Sequence, residues 1–208
     1  MRRSRLSSPR QSGGSGGDHQ EEPSEGTLAG TCQTTTSCYK AWMELRRIGP
    51  DDGANLRALR LAALRDSPDA FSTPYEEAVE YPGVLWQQRA RAGSAGVEQA
   101  TFLLFDGELA CGLVTGLTQP RGGNEVLLVG MWIAPEHRRA GHGARLVGRL
   151  VGWAAEIGAP SVMLGVTSGN HPALALYRSC GFTLTGEQYP LPGRSDHVVH
   201  RMRLQLSN

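Results

Sequence analysis

From Met43 onward, apolar residues fall either into short unbroken runs or into three- and four-residue spacings. The runs predict strands at Met43–Ile48, Ala100–Phe105, Leu109–Leu117, Val126–Val129 continuing to Ala134, Ser161–Val166, Thr183–Glu187 and Val198–Leu206. The spaced positions predict helices. Leu56, Leu59, Leu61, Ala62 and Leu64 mark one that ends near Asp66. Tyr75, Val79, Leu85 and Trp86 mark a second helical region, interrupted at Pro82-Gly83. Leu146, Val147, Leu150, Val151, Ala154 and Ile157 form the stripe of a long helix over Ala144–Ile157. Pro172–Cys180 is a shorter helix, capped by Ser168 or Asn170.

The punctuation agrees with these assignments. Gly49-Pro50-Asp51 ends the first strand, and Asp51 or Asp52 caps the helix after it. Gly158 followed by Pro160 stops the long helix. Asp106-Gly107 between two apolar runs predicts a hairpin, Gln119–Asn124 a second turn, and Pro190–Asp196 a connecting loop. The order is β-αα-βββ-α-β-α-ββ without internal repeat. That is an α/β domain with a mixed, mostly antiparallel sheet flanked by helices.

Residues 1–42 differ in kind. Ser, Gly, Thr, Gln and Glu dominate there, as in Gln11–Gly17, and little can be buried. This composition predicts a disordered, solvated tail ahead of a domain over 43–208. A partner-binding tail is the alternative, and so is an upstream gene start, because Met43 stands where the ordered pattern begins.

Composition narrows the class. A net charge of +1 argues against a dedicated nucleic-acid binder. No apolar run approaches the ~18 residues of a membrane span, and no apolar segment follows the N-terminal arginines as in a secretory signal. Cys32, Cys38, Cys111 and Cys180 form no Cys-x-x-Cys pair, so neither zinc nor a disulfide framework is suggested, and a reducing cytoplasm is expected. His137 and His142 have no partner at ligand spacing, so no metal is expected.

The chemistry concentrates between the central strand and the long helix, at Pro135-Glu136-His137-Arg138-Arg139-Ala140-Gly141-His142-Gly143. Two glycines at a helix start bring unpartnered N–H groups and the positive end of the helix dipole close to a ligand, and the arginines add charge. The connector reads as a phosphate or pyrophosphate site, or else as a plain glycine turn with solvated arginines. A Walker A loop is excluded because it needs a lysine after its last glycine, and the one lysine is Lys40. The dinucleotide fingerprint lacks its third glycine, where Leu146 stands.

Arg138-x-x-Gly141-x-Gly143 resembles the Arg/Gln-x-x-Gly-x-Gly/Ala loop of the GNAT superfamily of N-acetyltransferases, here of the small bacterial kind. Asn170-His171-Pro172-Ala173-Leu174-Ala175-Leu176-Tyr177 with Gly181-Phe182 is similar to that family's Asn…Ala-x-x-Leu-Tyr…Gly-Phe segment, in the family's order and spacing. The resemblance covers about Met43 to Leu206.

It implies the GNAT acyl-CoA N-acyltransferase fold and transfer of an acetyl group from acetyl-CoA, as co-substrate, to an amine of a small molecule or protein. It implies that the backbone of Met131, Trp132 and Ile133 holds the pantetheine arm. The pyrophosphate falls to Arg138, Arg139, Ala140, Gly141, His142, Gly143 and Ala144. Asn170 also faces the cofactor, and Tyr177 protonates the departing thiolate. By themselves Tyr177 could only pack its helix and Asn170 only cap it. The resemblance further makes the first helix-loop-helix a wall of the acceptor site, with a homodimer compatible.

The general base is unassigned. Many relatives carry a glutamate inside the central strand, whereas Val126–Val129 is wholly apolar. Glu125 at its start, the Tyr75-Glu76-Glu77 cluster, a water chain, and an amine arriving neutral all stay open. That gap sustains two other readings: a non-catalytic acyl-CoA-binding regulator on the same scaffold, and a nucleotide-phosphate binder.

Overall fold

A computed structural model of the protein describes residues 43–119 and 123–206. The 1–42 tail, Cys32 and Cys38 within it, and part of the Gln119–Asn124 turn lie outside the described residues. Among the described residues no helix is long and apolar enough to cross a membrane.

The strands are β1 (Met43–Arg47), β2 (Gln99–Asp106), β3 (Leu109–Gln119), β4 (Glu125–Ile133), β5 (Ser161–Thr167), β6 (Thr183–Leu191) and β7 (Arg194–Gln205). The helices are α1 (Gly53–Asp66), α2 (Tyr75–Val79), α3 (Gly83–Ser94), α4 (His142–Glu156) and α5 (His171–Ser179). The described strands form one sheet in the order β1-β2-β3-β4-β5-β7-β6. Only the β4–β5 pair within it is parallel. This is the expected mixed, mostly antiparallel α/β fold.

Helices cover both faces. On α4 the stripe Leu146, Val147, Leu150, Trp153 and Ala154 is buried. It packs across β2, β3, β4 and β5. Trp153 belongs to that stripe, while Val151 and Ile157 lie at its half-buried margin. The glycines of β3 make room for it: a Cβ on Gly116 would lie 2.7 Å from the Trp153 ring. On the other face α1 packs on α3, and both reach β2 or β3.

Three local expectations are corrected. The β2–β3 hairpin turns at Gly107-Glu108, because Asp106 still pairs with Leu109 and Gly107 carries the positive φ (+60°). The Pro190–Asp196 loop shrinks to Pro192-Gly193, with β6 running to Leu191 and β7 starting at Arg194. Pro190 is tolerated inside β6 because β6 is an edge strand with one side free of ladder bonds. Asp52 occupies the N-cap of α1 without capping it. Its carboxylate instead accepts from the Gly49 N–H at 2.7 Å, from Arg46 Nη1 at 2.6 Å and from Asn55 Nδ2 at 2.9 Å.

Candidate functional site

The site begins with a break in β4. Its antiparallel register with β3 slips between Leu113 (opposite Trp132) and Thr115 (opposite Val129), so Val114 faces two residues of β4. Gly130 sits in that bulge at φ +65°, a conformation in which other L-residues are strained. The bulge swings β4 away from its parallel neighbour. Pairing with β5 runs from Val126–Val162 to Leu128–Leu164 and then stops, although β5 continues to Thr167. One edge of Val129–Ile133 is thereby left without a strand partner.

A cleft of about 350 Å³ opens in the gap. Leu127 to Met131 form one side and Gly165 to Thr167 the other, with Asn170, Ala173 and Tyr177 at the α5 end. Phe71, Ser72, Leu191 and Pro192 also line it. Arg194 ties the β6–β7 hairpin to the neighbouring loop, donating to the Pro68 carbonyl at 3.1 Å and pairing with Asp69 at 2.8 Å.

Beyond the end of β4 lies the glycine connector. Arg139 (φ +61°) and Gly141 (φ +81°) both take left-handed backbone and curl the loop in front of α4. The first bond of the helix runs from the Arg145 N–H to the Gly141 carbonyl at 3.2 Å. The N–H groups of His142, Gly143 and Ala144 therefore have no acceptor within the helix. Ala140 and Ala144 are exposed. Burial, followed by the Arg145 charge, lowers the basicity of His142. Gly143 serves packing as well, since a Cβ there would meet Leu176 of α5 at 3.0 Å.

Arg138 behaves differently from its neighbour Arg139. Its Nε donates to the Ile133 carbonyl at 2.9 Å, and its guanidinium pairs with Asp66 at the end of α1. Asp66 also accepts from the Trp132 indole at 2.9 Å. Burial alone would push the Asp66 carboxyl up. Hydrogen bonds from Ser67, Trp132 and Arg138, with the Arg138 charge, outweigh burial and hold it below its ordinary value. Of the three β4 positions expected to hold a cofactor arm, Met131 lines the cleft, while the side chains of Trp132 and Ile133 are core.

Asn170 and Tyr177 come together at the cleft. Asn170 does cap α5, its Oδ1 accepting from the Ala173 N–H at 3.2 Å, and that leaves its amide N–H₂ for other partners. The Tyr177 ring packs edge-on against Phe182, with centroids 5.9 Å apart. Burial, with a smaller contribution from Cys180, pushes its phenol well up, so it stays protonated across the neutral range.

A second cavity, of about 290 Å³, lies beneath α1 and α3 against β2, β3 and β4. The two spaces share Arg60, Val129 and Gly130, so they meet at the bulge. Among the described residues, no carboxylate or imidazole lines this second cavity. Glu125 is held at the far end of β4 by Ser161 (2.7 Å) and Arg203 (2.9 Å), and lines neither space. Tyr75 bonds Arg65, Glu77 bonds Tyr81, and Glu76 is exposed. No group of three His, Cys, Asp or Glu among the described residues is placed to hold a metal. His137 instead bonds Asp106 at 3.0 Å.

Sequence reading missed Arg60, Arg89 and Asp66. For Arg60 a signal existed, because it stands four residues after Leu56 and four before Leu64, on the apolar stripe of α1. Asp66 had no such signal, since its partner Arg138 is distant in the chain.

Residues 58–182 match the model of the Acetyltransferase (GNAT) family. No curated protein matches the chain. Among solved structures, the GNAT-family acetyltransferase of Streptococcus pneumoniae is similar with a TM-score of 0.71 at 20% identity, over 79% of this chain and 99% of its own. The yncA protein of Salmonella typhimurium, solved with its cofactor acetyl-CoA, is similar with a TM-score of 0.66 at 19% identity, over 80% of this chain and 95% of its own. A Salmonella typhimurium acetyl transferase that modifies the N-terminal serine of ribosomal protein L7/L12 is similar with a TM-score of 0.62 at 16% identity, over 79% and 95%. At these identities the likeness is one of fold.

Proposed function

The chain belongs to the GNAT acetyltransferase family, and from that premise we propose that it is an N-acetyltransferase that moves the acetyl group of acetyl-CoA onto an amine. The observation that carries this reading is the meeting of two cavities at one strand bulge, each suited to one substrate. The β4–β5 cleft takes the thioester, and the cavity under α1 and α3 takes the amine.

The residues fit an acyl-CoA. The unpaired edge of Val129–Ile133 offers backbone groups to an amide-bearing arm in the manner of an added strand. The free N–H groups at the start of α4, with Arg139 beside them, suit a pyrophosphate. Arg138 acts at one remove: its pairing with Asp66 and Ile133 fixes the loop, and little of its charge is left for the ligand. When bound, acetyl-CoA supplies an activated acyl carbon with a thiolate leaving group.

The protein then has few tasks. The amine nitrogen bonds to the thioester carbon as the carbon–sulfur bond breaks, the nitrogen loses a proton, and the thiolate gains one. Tyr177, protonated and on the cleft wall, donates that proton to sulfur and regains one from water, so that the phenol is neutral at the end of the turnover. Among the described residues no carboxylate or imidazole lines the cavity to take the proton from nitrogen, and it passes to water. The Arg60 charge beside the bulge favours the neutral amine. Holding both reactants at the bulge provides the rest of the catalysis by proximity.

The domain that does this spans residues 43–208. The lack of a base side chain favours one other reading, an acyl-CoA-binding protein without turnover. Two measurements test the proposal. Saturating acetyl-CoA at ~100 times its Kd raises the melting temperature by several degrees, corresponding to about 2.7 kcal/mol. Free thiol is released, above simple hydrolysis, when a panel of amines is added. Absence of the thermal shift refutes acetyl-CoA binding. A shift without amine-dependent thiol release establishes the non-catalytic reading.

A further inference from the structure

Arg60 meets no carboxylate among the described residues that act on its charge. Its Nη1 is buried without a hydrogen-bond partner. The guanidinium lies over the face of Phe71, 4.4 Å from the ring centre, and Nη1 stands 3.8 Å from where a Cβ on Gly130 would be. The charged or titratable neighbours that act on it are Arg89, a like charge, and the Tyr81 phenol; no carboxylate is among them. Burial, then Arg89, pulls its pKa down to about 10, which still leaves it cationic at neutral pH.

The rest of the cavity under α1 and α3 has the same character. Arg89 lines it, over the rings of Tyr81 and Trp86 at 5.1 Å each. The Trp86 indole N–H is buried and unpartnered as well. Thr101 and Thr115 contribute hydroxyls 2.9 Å apart. The walls thus hold two cations and several donors, with no anion among the described residues. Arg60 is half-buried, and its buried Nη1 is a charged donor left without an acceptor, which is costly; its position between the two substrate spaces points to a ligand that supplies the acceptor.

We propose that the acceptor is a small amine bearing a free carboxylate, of the amino-acid class, with its carboxylate held by Arg60 and Arg89 and its amine directed to the Gly130 bulge. This rests on the transferase reading above. The guanidinium fork matches the two oxygens of a carboxylate. Leu113, Leu117 and Val129 on the same wall receive the remainder of the molecule. A cavity of about 290 Å³ is at the small end for a ligand site. A protein N-terminus offers no α-carboxylate, because that group of its first residue is consumed in a peptide bond.

The test uses the full chain in the presence of coenzyme A. The twenty amino acids and their carboxamides are titrated calorimetrically, and a parallel incubation with acetyl-CoA is read by mass for N-acetyl products. At least one amino acid binds tenfold or more tightly than its carboxamide, and Arg60→Gln removes that preference. Arg89→Gln reduces the same preference and is read if the first variant fails to fold. The inference is overturned if no free amino acid binds, if carboxamides bind equally well throughout, or if both folded variants keep the preference. Acetylation of amides as readily as acids also overturns it, while the transferase reading stands. Preferential binding of acids with no acetylated product leaves the anion site in place and overturns the acceptor assignment, while amine-dependent thiol release across the wider panel decides the transferase reading.

Discussion

Arg138 of the glycine connector is ion-paired to Asp66, seventy-two residues away at the end of α1. Asp66 accepts at the same oxygen from the Trp132 indole at 2.9 Å. One carboxylate thus joins the first helix, the central strand and the loop before α4. The motif arginine supports the shape of the loop.

Asp66→Asn tests that role. It keeps the size of the side chain and removes its charge. The Arg138 side is half exposed, so solvent screens much of the pairing. The expected loss is about 1 kcal/mol, a few degrees in melting temperature. Because the loop loosens, coenzyme A affinity falls several-fold as well. An unchanged affinity, with the thermal loss present, would show that the clamp serves stability alone.

Ala144→Asp separates anion binding from fold integrity by sign. Ala144 is exposed in the first turn of α4, where a carboxylate favours the helix by ~0.3–1 kcal/mol. The unliganded protein therefore melts at the same temperature or slightly higher. The same carboxylate repels a pyrophosphate, so the acetyl-CoA-induced shift disappears. Melting curves with and without acetyl-CoA check both signs. This position is cleaner than Gly143, where any side chain meets Leu176.

Gly130→Ala addresses the bulge. Space exists for the methyl group, whose nearest neighbour is Arg60 Nη1 at 3.8 Å. The φ of +65° is the obstacle, and forcing alanine there costs about 1–2 kcal/mol. Relaxation toward extended backbone would close the split between β4 and β5. Activity is expected to fall more than ~10-fold for a stability loss that alone leaves the protein folded. Denaturant unfolding and steady-state rates on one preparation check this, and wild-type kcat/KM would remove the bulge from the mechanism.

Tyr177→Phe keeps the ring against Phe182 and removes the hydroxyl that we propose as proton donor. kcat is expected to fall ~100-fold, with cofactor affinity nearly unchanged, because the hydroxyl matters when charge develops on sulfur. A thioester with a less basic thiolate is affected less. The measurement needs an acceptor amine and a rate limited by chemistry. Equal kcat in the two proteins would assign Tyr177 to packing.

Asp52 is expected to make stability depend on pH in the acid range. The hydrogen bond from Arg46, opposed by burial and aided by Gly49, Asn55 and the Arg46 charge, brings its carboxyl down to about 2. A depressed carboxyl stabilises the fold above its unfolded value near 4, and the contribution is lost as pH falls toward 2. Asp52→Asn should lower stability by roughly 1–2 kcal/mol at pH 7 and bring the two proteins together near pH 2. Urea unfolding at several pH values checks this. A difference between them that does not depend on pH would exclude the carboxylate charge as the cause.

The sequence by itself determined the order of the elements, the α4 stripe, the glycine loop and the Asn170–Tyr177 segment. These are local: helix spacing, strand runs and N-cap chemistry act over a few residues and leave their period in the chain. Gly130 was visible inside an apolar run, but a glycine there does not reveal how far β4 and β5 will part. Tertiary structure decided that, because the register of β4 is set jointly by β3 on one side and β5 on the other. It also paired Arg138 with Asp66 and withdrew Glu125 to Ser161 and Arg203. Arg60 shows both levels. Its place on the apolar stripe of α1 was readable. Its surroundings were not, because they depend on which side chains from α3, β2, β3 and β4 arrive around it, and among the described residues the lining they form contains no carboxylate.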